Sequence, residues 1–226
     1  MGAPFHVRPD LPMTYSEQSL CLHPEDGCPA TNEISRLRKE MAELEQQIIR
    51  DPLTGLYNKR HFNSVLTTEM ERTRRTSQPT SLILADLDSF KSINDRYGHP
   101  IGDLVLCHAA TVIRSVLRMI DIPCRYGGEE FAIILPATPL PIAVQVAERL
   151  RIALKSAWVE TGKGALAVTA SFGVSSFKPG ESLDTFLQRT DEKLYEAKRK
   201  GKDRVCADTA ITEPEACCDE KGTAHI

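Results

Sequence analysis

Nowhere in its 226 residues does this chain hold an apolar run approaching the ~18 residues that a membrane helix needs. The N-terminal stretch MGAPFHVRPDLPMTYSEQ lacks the apolar core of a secretory signal, so no membrane insertion is expected and a cytoplasmic location is. An excess of one charge is also missing. With 28 Lys and Arg against 31 Asp and Glu, the net charge of −3 gives no overall pull towards nucleic acid or an anionic membrane. The seven cysteines are odd in number and scattered (Cys21, Cys28, Cys107, Cys124, Cys206, Cys217 and Cys218), which argues against a disulfide framework. Cys107 and Cys124 fall in apolar segments and read as small core residues. In CLHPEDGC, Cys21, His23 and Cys28 lie close together, yet their spacing fits no structural zinc pattern. What is present is an ordinary globular composition, 41% hydrophobic and 26% charged, in a chain long enough for one good core and a small appendage.

Residues 1–30 are rich in proline and poor in periodicity, and no stable fold is expected there. Over 31–50, Ile34, Leu37, Met41, Leu44 and Ile48 alternate spacings of three and four, the seam of a coiled coil with Glu, Lys and Arg outside. The seam spans about two heptads where ~3–4 define a coiled coil, so both a dimer stalk and a helix packed on its own domain remain open. From Asp51 a folded domain is expected to run to 206, with a loose tail over 207–226. Within it the pattern predicts helices near 58–76, 89–97, 102–119, 139–157 and 182–200. Strands are predicted at 81–88, on both sides of Gly127-Gly128, at 166–177 and in RVCA. Without the first helix and the short insert the order is β-α-β-β-α-β. That is an α+β, ferredoxin-like arrangement with an antiparallel sheet, expected to carry helices on one face.

Three clusters carry candidate chemistry. SLILADLD ends a buried strand in Asp86 and Asp88, with Leu87 between them facing the core. CRYGGEEF reads as a hairpin whose glycines supply special backbone angles and whose Glu129 and Glu130 leave the turn together. In this topology those strands are neighbours, so Asp86 and Glu129 meet, an oxygen site suited to Mg²⁺. In DSFKSINDRYGHPIGD, Lys91 could reach back over that site, while Asn94 and Asp103 suit the donors and acceptors of a guanine edge. YEAKRKGKDR gathers Lys198, Arg199, Lys200, Lys202 and Arg204 at a helix end. A cluster there is explained either by the helix dipole or by a bound triphosphate, and it lacks the interleaved aromatics of a nucleic-acid surface.

DPLTGLYNKR, ADLDSFKSINDRYGHPIGD, CRYGGEEF, TASFGVSS and DEKLYEAKRKGKDRV stand in the order and spacing of one known family. Residues 51–206 resemble the diguanylate cyclase (GGDEF) domain, in its GGEEF form. The resemblance implies a palm-type nucleotide cyclase that condenses two GTP into cyclic di-GMP and two pyrophosphates, working as a homodimer. It implies Mg²⁺, with Mn²⁺ as a substitute, held by Asp86, the Leu87 carbonyl and Glu129, with Glu129 also accepting the proton of the attacking 3′-hydroxyl. Lys91 looks like the transition-state lysine. Asn94, His99 and Asp103 resemble the nucleotide contacts, and Lys198 and Lys202 match basic positions near the phosphates, the second often arginine. Arg118 and Asp121 match an R-x-x-D product-inhibition site, to which Arg72 and Arg149 would add contacts, from a neighbouring domain or from the same one. With no sensor domain recognisable, the first fifty residues are expected to answer either to a regulatory protein acting on the N-terminal helix or to self-association. The competing reading is an idle GGDEF domain serving as a cyclic di-GMP receptor or scaffold.

Overall fold

The computed structural model describes residues 29–162 and 164–208. The expectations for residues 1–28 and 209–226, including the Cys21, His23 and Cys28 group and most of the C-terminal tail, lie outside them. Met1–Ile48 and Ile49–Ile226 form separate units. Helix α1 (Pro29–Ile49) lies where a helix is expected. Arg36 reaches both Glu33 and Glu40 at 2.6 Å, the three- and four-residue spacings at which helix side chains meet. Ile34, Leu37 and Met41 of the predicted seam are exposed, and the side chains of Leu44 and Ile48 lie outside the described residues.

The second unit runs β1 (Tyr57–Asn58), α2 (Lys59–Thr76), β2 (Ser81–Leu87), α3 (Phe90–Tyr97), α4 (His99–Val116), β3 (Ile122–Arg125) and β4 (Glu130–Leu135). It continues with α5 (Leu140–Ser156), β5 (Trp158–Thr161), β6 (Gly164–Ala167), β7 (Ala170–Ser176), α6 (Leu183–Arg199) and β8 (Val205–Ala207). The main sheet has the order β1-β3-β4-β2-β7-β8. β2 lies antiparallel between β4 and β7, and the short edge strands β1 and β8 join in parallel. The core β2-α4-β3-β4-α5-β7 is the expected ferredoxin-like unit.

Helices cover both faces of this sheet, not one. Every residue of β2 is buried, as a doubly covered strand requires. Ile83, Ala85 and Leu87 pack with Ala109 and Ile113 of α4 and Leu150 of α5. Leu82 and Leu84 point the other way, into a second core with Phe62 and Leu66 of α2 and Phe186 and Leu194 of α6. Cys124 is buried in that second core, which pushes its thiol up to about 12, while Cys107 is half-buried with its thiol 3.3 Å from the Leu53 carbonyl. Two boundaries also differ. Strands β5 (Trp158–Thr161) and β6 (Gly164–Ala167) pair as a separate ribbon, so the strand expected from 166 begins at Ala170. Helix α4 starts and stops earlier than its apolar pattern suggests, because Pro100 sits in its first turn and Leu117 is extended (ψ 157). Among the described residues no helix is long and apolar enough to cross a membrane.

Candidate active site

The acidic end of β2 meets the β3–β4 turn. Asp86 is opposite Glu130 on one side and Ser171 on the other, and the Leu87 N–H donates to the Glu129 carbonyl at 3.3 Å. Asp86 is only 8% exposed, so its charge needs a partner. Lys198 supplies one, with its ammonium 2.8 Å from the Asp86 carboxylate. The backbone of α6 can bring Lys198 there because it lies directly on β7: a β-carbon at Gly173 would run into the backbone of Thr190 and Leu194. Burial pushes the Glu129 carboxyl above its usual range, and the charges of Asp86 and Glu130 add to this while Lys198 opposes it.

The turn does not use its two glycines for backbone angle, and only Gly127 is crowded. Neither Gly127 nor Gly128 has a positive φ, contrary to the hairpin expectation. Tyr126 and Gly127 both donate their N–H to the Glu130 carbonyl (2.8 and 3.2 Å), a bulge-like closure in place of a two-residue turn. A side chain on Gly127 would collide with the Glu130 carboxylate, whereas Gly128 faces open space. Glu130 therefore folds back over Gly127, and the turn backbone at Gly128 stays open to a ligand.

Asp88 lies one residue past β2, and its carboxylate ties three segments together. It accepts from the Thr169 hydroxyl (2.7 Å), the Ser171 hydroxyl (2.7 Å) and the Asp203 N–H (3.0 Å). Asp203 in turn accepts from Arg151 and Lys155, both at 2.7 Å. This holds Lys202, itself at positive φ, so that its ammonium donates to the Ser89 hydroxyl at 2.9 Å. The basic cluster expected at the end of α6 is thus divided: Lys198 and Lys202 turn to the site, while Lys200 pairs with Glu196 on the outside. Lys91 is exposed on the first turn of α3.

Next to it, α3 and α4 meet at Gly102, where a β-carbon would overlap the Asn94 side chain and approach Phe90 at 3.2 Å. The Asn94 Oδ1 is buried and has no hydrogen-bond partner among the described residues. A buried carbonyl left so costs about 1–3 kcal/mol unless a ligand satisfies it. Asp103 follows Gly102 and is exposed, one helical turn from the exposed His99. Asn94 thus lies against Gly102 where the two helices meet, with His99 and Asp103 on the first turns of α4.

Arg118 and Asp121 do not share a helix face, because α4 ends at Val116. They sit in the following turn, where the Arg118 N–H donates to Asp121 Oδ2 (2.9 Å) and the Asp121 N–H to the Arg118 carbonyl (3.1 Å). Asp121 is 7% exposed, and its Oδ1 has no hydrogen-bond partner among the described residues. Burial pushes its carboxyl up, against the Arg118 N–H and the charges of Arg118 and Arg149. A cavity of about 190 Å³ opens here, lined in part by Arg50, Tyr57, Arg114, Arg118 and Asp121. Arg149 lies close, bonded to the Val116 carbonyl at 2.6 Å. Arg72 is on α2, which packs in the core on the other face of the sheet, and it pairs with Glu69 at 3.4 Å.

Residues 48–204 match the family description "Diguanylate cyclase, GGDEF domain". The chain belongs to the GGDEF-domain family. The response regulator PleD of Caulobacter vibrioides is 40% identical over 177 residues, covering 77% of this chain and 39% of that protein. The diguanylate cyclase VdcA of Vibrio cholerae is 41% identical over 179 residues, covering 78% and 52%. This chain spans about half the length, or less, of these relatives. Among solved structures, the diguanylate cyclase SiaD of Pseudomonas aeruginosa, in complex with its activator SiaC, matches with a TM-score of 0.72 at 40% identity, covering 79% of this chain and 69% of that one. The coiled coil and GGDEF domain of DgcB from Caulobacter crescentus, in complex with c-di-GMP, matches with a TM-score of 0.75 at 32% identity, covering 79% and 95%.

The donors of this GGDEF domain fit a small hard cation. Among the described residues no three His, Cys, Asp or Glu side chains gather as a metal cage. The Asp86 and Glu129 carboxylates suit a hard divalent cation, of the kind that completes its shell with phosphate and water. The like-charge crowding that raises Glu129, partly relieved by the Lys198 ammonium, is what a cation would relieve further. Sequence reasoning missed Asp88 and Gly102 as organisers of the GGDEF site. Asp88 was visible only as a neighbour of Asp86, and the need for glycine at position 102 depends on how two helices cross.

Proposed function

We propose that this GGDEF domain is a diguanylate cyclase, condensing two GTP into cyclic di-GMP. In each half-reaction a 3′-hydroxyl attacks the α-phosphorus of the other nucleotide, one P–O bond forms and pyrophosphate leaves. The observation that carries the reading is the meeting of Asp86, Glu129 and Lys198 at one end of the sheet. The unsatisfied Asn94 carbonyl in the neighbouring helix pair supports it.

Asp86, the Leu87 carbonyl and Glu129 would hold Mg²⁺ or, in its place, Mn²⁺. When bound, the metal supplies positive charge to the phosphates and lowers the pKa of the attacking hydroxyl. Glu129, whose carboxyl already sits above its usual range, is suited to take the hydroxyl proton. Lys198 exchanges its bond to Asp86 for phosphate oxygens, and Lys202, held near the site through Ser89, adds a second cation. Lys91 stabilises charge that develops on the phosphoryl group. Asn94 and Asp103 read the guanine edge, Asp103 accepting from N1–H and the exocyclic amine, and His99 borders the nucleotide.

Each domain carries one such site, so two chains must face each other across a two-fold axis, and a dimerising N-terminal helix raises the effective concentration of the second site. SiaD is seen in complex with an activator, SiaC, and for this chain a protein acting on the N-terminal helix is the proposed input. Cyclic di-GMP bound at Arg118 and Asp121 would restrain domain orientation and inhibit. We place the activity in the cytoplasm, where GTP is available. The purified chain, incubated with GTP and Mg²⁺, should yield cyclic di-GMP and pyrophosphate. Tight cyclic di-GMP binding without synthesis would instead establish the receptor reading.

A further inference from the structure

The arginine that precedes the glycine turn is bonded at both ends of its guanidinium. Arg125 Nε and Nη2 donate to the Gly128 carbonyl at 3.1 and 2.9 Å. Its Nη1 donates to both carboxylate oxygens of Asp51, each at 3.2 Å. Asp51 lies 74 positions away in sequence, in the turn that leads from the N-terminal helix into β1. That turn is closed on itself: Asp51 Oδ1 accepts from the Thr54 N–H (2.8 Å) and hydroxyl (2.7 Å), and the Asp51 N–H donates to the Leu56 carbonyl (2.8 Å). Burial works against the Asp51 charge, but Thr54 and then Arg125 hold its carboxyl below the usual range. Both side chains are largely covered, at 18% and 16% exposure, so solvent competes weakly for these bonds.

The peptide that Arg125 grips is the one joining Gly128 to Glu129. The Glu129 carbonyl is fixed separately by the Leu87 N–H at 3.3 Å. Glu129 is therefore suspended between two anchors, one on β2 and one reaching through Arg125 to the 51–56 turn. Gly128 has no side chain, and a β-carbon there would meet only open space, so no side-chain packing at this position holds the turn. Planar guanidinium geometry suits this task, because one flat group holds a carbonyl and a carboxylate at fixed angles, which a lysine ammonium cannot do.

We infer that Arg125 is a positioning residue, which through its Asp51 bond sets the Gly128–Glu129 peptide and so makes the 51–56 turn part of the catalytic machinery. The inference rests on the cyclase reading for its effect on rate, but not for its effect on the turn. A displaced Glu129 costs rate steeply while leaving the guanine contacts on α3 and α4 untouched. Displacement of the 51–56 turn, which directly follows the N-terminal helix, reaches Glu129 by the same two bonds.

Full-length Asp51→Asn and Arg125→Lys proteins test this by hydrogen exchange and by steady-state kinetics. Asp51→Asn keeps the Thr54 bonds through its amide oxygen, and Arg125→Lys keeps the charge, so both should fold. In each, exchange over residues 126–131 should accelerate by about threefold or more. For GTP, kcat should fall by about fivefold or more, with KM changed by less than about twofold. Exchange in the turn that matches wild type in both variants overturns the inference whatever the activity. Accelerated exchange with unchanged kcat in an active wild type overturns it too. If wild type makes no cyclic di-GMP, the cyclase reading falls and the exchange measurement alone decides whether Arg125 positions the turn.

Discussion

Lys198, on the last turn of α6, holds its ammonium 2.8 Å from the carboxylate of Asp86 at the end of β2. A monovalent cation thus already sits against the carboxylate proposed to face Mg²⁺, and the two cations share one set of negative charges. Replacing Lys198 with Met should lower the stability of the metal-free protein by up to about 1 kcal/mol, since the pair is partly exposed. Added Mg²⁺ should then raise the melting temperature of the variant more than that of wild type. KM for GTP should rise by about tenfold or more as a phosphate contact is lost. Equal Mg²⁺ responses in thermal melts of the two proteins would show that Lys198 and the metal do not share the site.

Glu129→Gln should reduce cyclic di-GMP synthesis by about a hundredfold or more without loss of stability. The carboxyl is already held above its usual range by burial and by its acidic neighbours, so removing its charge relieves repulsion inside the fold. Initial rates and a thermal melt check both halves. Near-normal turnover would remove Glu129 from the chemistry.

Asp103→Ser should weaken preference for GTP over ATP by about a hundredfold or more, because the acceptor for guanine N1–H and its exocyclic amine is gone. The residue is exposed and adjacent to Gly102, so the fold should tolerate the change. Competition between the two nucleotides in one assay gives the ratio directly, and an unchanged ratio would assign Asp103 another role.

Asp121 links stability to pH. Burial raises its carboxyl above the value of 3.8, so folding favours the protonated form. Its stabilising contribution is complete below the unfolded pKa and is lost as pH rises through the raised folded value. Asp121→Asn, which does not titrate, should gain in melting temperature relative to wild type as pH rises above the ordinary carboxylate range. In the same region, Arg118→Ala should increase final product accumulation without changing the initial rate. Inhibition of equal strength by added cyclic di-GMP in both proteins would rule the pair out as the inhibitory site.

Deleting residues 1–48 should lower specific activity at dilute protein and restore it as concentration rises, because the second site must then be found by free encounter. A dilution series of the truncated and full chains measures this. Matching activities at every concentration would show that the N-terminal helix does not bring the sites together.

The order of elements was legible because it is written in local periodicity: the unbroken apolar run of SLILADLD, the three-four spacing of the helices and the glycine turn all read without a partner. The family motifs placed Asp86, Glu129, Asn94 and Asp103 on those elements, and in the structure Asp86 lies near enough to Glu129 for their charges to interact while Asn94 lies against Gly102. Helix α4 was misread at its ends because an apolar pattern continues past Val116 while Leu117 has already turned extended.

What the tertiary structure decided are the contacts between residues far apart in sequence. The same unbroken run that announced β2 does not say which helices cover it, and the packing of α2 and α6 on the second face follows only from the two cores. Gly127 and Gly128 read as a demand for unusual backbone angles, yet neither has a positive φ, and only Gly127 is crowded, by the Glu130 side chain folded over it. Lys198 against Asp86, Asp88 with Asp203, and Arg125 between Asp51 and Gly128 join segments through side chains that ordinary sequence spacing leaves unrelated. Periodicity reports only how a segment divides itself between core and solvent. Which charges meet at a strand end is set by how those segments stack, and that is fixed by the packing of the whole chain.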